Sequence, residues 1–135
     1  MLNRRAWLLA AISTSACTPS KKAASTALPE HVGAWTRSEH STPPPGEAPP
    51  AIARFAVAAI EKAGYSGPGG EILRAEAYHL ASEAAGLELE QTWRPEPNAV
   101  GFHVGAHFVI MRYEKADRAA LNTFVRELQA FLLPK

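Results

Sequence analysis

Cysteine is almost absent from this chain: its 135 residues include one, Cys17. No disulfide can close within the chain, and no multi-cysteine metal cluster can form. Long apolar runs are missing too, since none approaches the roughly 20 residues of a membrane-spanning helix. There is no basic excess either, because from Leu28 onward ten Lys and Arg stand against thirteen Asp and Glu. A phosphate backbone is gripped by a basic stripe, so nucleic acid is not an expected partner. What is present is an ordinary apolar fraction, 47% hydrophobic with 20% charged residues, which excludes wholesale disorder. The length suits one small domain.

The N-terminal residues read as an address. Arg4 and Arg5 supply a charged segment, Ala6 to Ile12 a short apolar one, and Ser13-Thr14-Ser15-Ala16 a run of small residues ending at Cys17. This is the layout of a signal peptide. The box Thr14-Ser15-Ala16-Cys17 resembles the bacterial lipoprotein signal, with Thr14 where an aliphatic residue is usual. That resemblance implies cleavage before Cys17 and lipidation of its thiol, palmitate included. Asn3-Arg4-Arg5-Ala6-Trp7-Leu8 is similar to a twin-arginine export signal; the same arginines also fit the charged segment of an ordinary Sec signal. The expected organisation is therefore a signal peptide over 1–16, a lipidated Cys and flexible tether over 17–27, and a single domain over 28–135. The expected location is the cell envelope, with the domain facing the periplasm or the cell exterior.

Periodicity sets the expected elements. Val32 to Arg37 alternates loosely and predicts a first strand, while the proline-rich stretch 41–50 predicts a stiff loop. Ile52, Phe55, Ala56, Ala59, Ile60 and Ala63 recur at helical spacing and predict a helix over 51–63. Glu71 to Ala81 predicts a strand whose Leu73, Ala75 and Ala77 face is small enough for a close-packed helix. Ser82 to Arg94 reads as a helix with Ser82 as its cap, although Leu87 to Glu90 alternates like a strand. Val100 to Tyr113 predicts a hairpin turning at Gly105-Ala106, which pairs Val104 with His107, Phe102 with Val109 and His103 with Phe108. Asp117 caps a final helix over 118–133, with a stripe of Leu121, Phe124, Val125, Leu128, Phe131 and Leu132. The expected class is α+β: an antiparallel sheet of about four strands in the order β-α-β-α-β-β-α, with helices mainly on one face.

Four phrases in this order carry a family likeness. They are Leu28 to Trp35, the helix end Ala63-Gly64-Tyr65, the strand-to-helix run Ala75 to Ala85, and the hairpin Phe102 to Val109. Together they resemble the secreted bacterial family known as domain of unknown function 6599, over roughly Leu28 to Leu133. The resemblance implies the fold and an envelope location, and carries over no catalytic residue.

No catalytic, cofactor-binding or metal-binding set emerges from the residues. His103 and His107 stand four apart, but on the expected hairpin they face opposite sides and cannot share an ion. His79 reads as a core histidine on a small-residue face, and His31 and His40 as solvent-facing. Glu83, Glu88 and Glu90 read as a solvated face, and Trp35, Trp93 and Tyr78 as core residues or, less simply, a ligand groove. Trp35, His79, Trp93, His103 and His107 are thus the candidate surface or pocket residues, beside Cys17 for lipid and Arg4 and Arg5 for export. The expected function is a non-enzymatic binding or accessory domain of an envelope lipoprotein, held by its lipid and engaging an envelope protein. The alternative is a small ligand-binding or hydrolase-like domain with a pocket between sheet and helices. No cofactor is expected.

Overall fold

Six strands account for most of the regular structure in the computed structural model, which describes residues 27–94 and 96–133. The signal peptide, Arg4, Arg5, Cys17 and the tether up to residue 26 lie outside the described residues. The elements are β1 (His31–Val32), β2 (Trp35–Ser41), α1 (Pro50–Ala53), β3 (Ala59–Ser66), β4 (Ile72–His79), α2 (Glu83–Thr92), β5 (Ala99–Val104), β6 (His107–Lys115) and α3 (Arg118–Leu132). Among the described residues the strands form one antiparallel sheet, curled into a half-barrel, in the order β1-β2-β3-β4-β6-β5. This corrects the expected four-stranded sheet.

The two extra strands come from two misread segments. Gly33, at φ +57, turns the chain straight after Val32, so the expected first strand is a tight hairpin in which Val32 faces Trp35. The expected helix over 51–63 stops after one turn. Ala56 takes φ +56, and the chain then runs extended from Ala59. That segment finds a partner on each side, β2 and β4, and two ladders of hydrogen bonds outweigh a modest helix preference. Ile60 and Ala63, expected on one helix face, therefore point to opposite sides of the sheet. Ala63-Gly64-Tyr65 lies inside β3 and ends no helix.

Alternation then divides the sheet into two apolar layers. On one side Ala63, Tyr65, Leu73, Ala75, Ala77, Phe102, Val104, Val109 and Met111 pack with Leu121, Phe124 and Leu128 of α3. The alanines leave room for Phe124, whose ring meets Tyr65 and Trp35 edge-on at 4.8 and 5.5 Å. On the other side Ile60, Tyr78, Leu80, Phe108 and Ile110 pack with Ile52 and Phe55 of the α1 segment and Leu89 of α2. Helices thus cover both faces, and the expected one-sided arrangement is corrected too. The sequence missed this because Tyr78 and Leu80, the outer face of its expected strand, lie among polar neighbours in the chain.

Where the elements were read correctly, their caps and turns explain them. Ser82 Oγ accepts from Ala85 N at 3.1 Å and Asp117 Oδ1 from Ala120 N at 2.7 Å, opening α2 and α3. The hairpin register is as expected: Val104 faces His107, Phe102 faces Val109 and His103 faces Phe108, with Gly105 at φ +58 in the turn. The chain joins the domain through a strap over the α3 face. Leu28 is buried, Tyr65 Oη donates to Pro29 O at 2.7 Å, and Arg37 Nη1 donates to Leu28 O at 2.7 Å. Burial raises the Tyr65 phenol above its ordinary pKa, which keeps it a donor.

Candidate functional site

With both layers filled by apolar side chains, and no buried polar or charged residue among those described, the features able to bind something lie on the outside. The structure scatters the five sequence candidates. Trp35 is buried against Phe124. Trp93 lies edge-on to Phe108 at 6.1 Å and closes over Gly101. It also borders a shallow concavity of about 270 Å³ between α1 and α2, with Arg54 and Thr92 hydrogen-bonded at 3.3 Å along the same rim. The two tryptophans therefore belong to different layers and line no common groove.

His103 projects onto the α2 face, where its Nδ1 pairs with Glu90. Glu90 is thus half-buried and engaged, which corrects its reading as part of a solvated face; Glu83 and Glu88 are exposed. His107 projects onto the other face, as expected. The structure brings it together with His79, whose ring centre is 4.7 Å away. His79 is exposed, so its reading as a core histidine is corrected. Burial, with His79 beside it, lowers the His107 pKa, and Glu61 pulls weakly the other way. His40 and Glu61, which the sequence did not link, bond at 3.1 Å, and the second Glu61 oxygen accepts from Ala27 N at 2.6 Å. Only strand order, invisible in spacing, could have shown these pairs.

Two larger open features remain. The first is a groove of about 320 Å³ on the uncovered half of the α2 face, lined by Glu39, Lys62, Gly64, Arg74 and Glu76 among others. Its charges are mostly matched: Arg74 Nε lies 2.8 Å from Glu114, and Arg112 pairs with Glu96 and sits 3.8 Å from Glu76. Tyr78 Oη donates to Glu76 at 3.0 Å. Such a paired array is well solvated and gains little by binding a charge. The second is a concavity of about 510 Å³ between the β1–β2 turn and the end of α3, lined by His31, Val32, Gly33, Glu127, Ala130, Phe131 and Leu133. Phe131 and Leu133 are 52% and 58% exposed, which corrects the reading of Phe131 as part of the buried stripe. Its neighbour Leu132 packs against the α3-face core, so Phe131 lies on the outer side of the same turn.

No family model matches the chain, and no curated protein or solved structure matches it significantly.

Proposed function

We propose that the protein is a lipid-anchored envelope protein whose folded domain binds another protein without catalysing a reaction. The observation that carries the binding reading is the exposed Phe131 and Leu133 at the rim of the concavity beside the β1–β2 turn. Large apolar side chains gathered at a concave rim gain most by being covered by a partner. The spaces between sheet and helices are filled by side chains, which argues against an internal ligand pocket.

The anchor reading rests on Cys17 at the end of the apolar segment and on the likeness of Leu28 to Leu133 to the secreted 6599 family. Two or more acyl chains on one Cys hold a protein stably, at about 0.8 kcal/mol per buried methylene. Ala27 follows Cys17 by ten residues, so the leash reaches at most about 35 Å. A partner would therefore lie at or near the membrane.

The test places a photo-crosslinking residue at Phe131, and separately at Lys62 in the charged groove, in the full chain in living cells. The reading expects a discrete adduct from position 131 and none from position 62. Adducts from 62 alone would move the binding surface to the groove, and an absence of adducts from both would remove the binding reading. A Phe131→Asp variant should lose the partner while melting like the parent.

A further inference from the structure

The strand order puts β4 beside β6, and the register sets His79 directly opposite His107. They stand 28 positions apart in the chain, so no spacing motif marks the pair. Both side chains project from the α3 face, in the middle of the cross-strand row Ala59, His79, His107 and Val104. Their ring centres are 4.7 Å apart, with the planes at 67°.

That separation, ordinary for two rings in edge contact, also admits a shared metal ion. A metal–nitrogen bond is about 2.0–2.1 Å and a ring nitrogen lies roughly 1.15 Å from its ring centre, so two imidazoles on one ion have centres about 4.5 Å apart at a right angle and about 5.2 Å apart at the tetrahedral angle. The observed distance falls inside this range, near the right-angled limit. We propose that His79 and His107 form a two-nitrogen site for a divalent late transition-metal ion, copper(II) above the others.

Neighbouring strands already hold the two β-carbons at cross-strand distance, so a ring rotation completes the chelate without moving the backbone. Copper(II) leads because it heads the affinity order for nitrogen sites and accepts two nitrogens at a right angle. Among the described residues no three His, Cys, Asp or Glu side chains group to hold an ion. The remaining positions therefore fall to water, and the ion exchanges. Glu61, bonded to His40 and to Ala27 N, contributes attraction from the next strand without becoming a ligand. His103 emerges from the opposite face and takes no part.

Copper(II) and nickel(II) titrations of the full chain in detergent test the site. The site predicts one equivalent of copper(II) bound with micromolar affinity, nickel(II) more weakly, and a copper resonance spectrum showing two nitrogen ligands. His79→Gln and His107→Gln should each weaken binding on the order of tenfold or more while the circular dichroism is unchanged. His40→Gln and His103→Gln should bind like the parent. Binding that survives His79→Gln, or that is lost instead in His40→Gln or His103→Gln, overturns the assignment. So does an absence of binding below millimolar copper.

Discussion

Phe124 of α3 stands edge-on over Tyr65 of β3, with ring centres 4.8 Å apart, and neither ring reaches solvent. This pair locks the final helix to the centre of the sheet. Phe124→Ala removes a fully buried ring and leaves a cavity among Trp35, Tyr65 and the alanines of β3 and β4. The expected cost is about 3–5 kcal/mol, a large part of the roughly 5–15 kcal/mol that holds a small domain together. Denaturant melts of the two proteins measure it. A variant as stable as the parent would mean that α3 is a detachable appendage.

Gly101 makes a second, sharper test of the opposite layer. A β-carbon there would lie 2.8 Å from Trp93 and 2.9 Å from Phe108, closer than packed carbons come. Gly101→Ala should therefore destabilise by about 1–3 kcal/mol, although alanine usually favours order over glycine. Tryptophan fluorescence should shift as Trp93 is pushed outward. A neutral or stabilising outcome would show that Trp93 does not cover β5.

The strap where the chain joins the domain depends on the Tyr65 hydroxyl. Tyr65→Phe keeps the ring against Phe124 and deletes the donor to Pro29 O, at an expected cost of about 1 kcal/mol. Limited proteolysis should then cut near residues 27–30 faster than in the parent. Unchanged cleavage would mean that Leu28 alone holds the strap.

Acid should weaken the fold through His107. Its folded pKa lies below the ordinary 6.5, so between the two values the unfolded chain binds more protons than the folded one. Stability therefore rises with pH through that window, and the contribution of His107 is lost as pH falls from about 6.5 toward its folded value. His107→Gln should flatten this part of the stability–pH curve. A parent curve already flat between pH 7 and 5 would contradict the burial assigned to this ring.

The parts legible in the sequence were those governed by local chemistry. Ser82 and Asp117 are caps whose side chains act within three residues, and Gly105 sets a hairpin whose register follows from its turn. The 51–63 segment failed for the reverse reason. Its alanines and Ile60 suit a helix locally, and only the two partner strands, supplied by distant segments, make it the third strand of the sheet. Trp35 and Trp93 were recognised as core candidates, but which layer each fills depends on strand order. The His79–His107 pair was illegible for the same cause, since β4 and β6 become neighbours only after α2 and β5 intervene. Phe131 is exposed although it stands three residues from the buried Leu128, because spacing along a helix does not show how wide a face the sheet covers.

The lipid anchor stands at the centre of this account, and mass spectrometry of the intact protein extracted from membranes tests it most directly. The account predicts an N-terminus at Cys17 carrying acyl mass, and a Cys17→Ala variant that leaves the membrane fraction or stays unprocessed. A soluble protein beginning elsewhere, or one that keeps Met1, would contradict it.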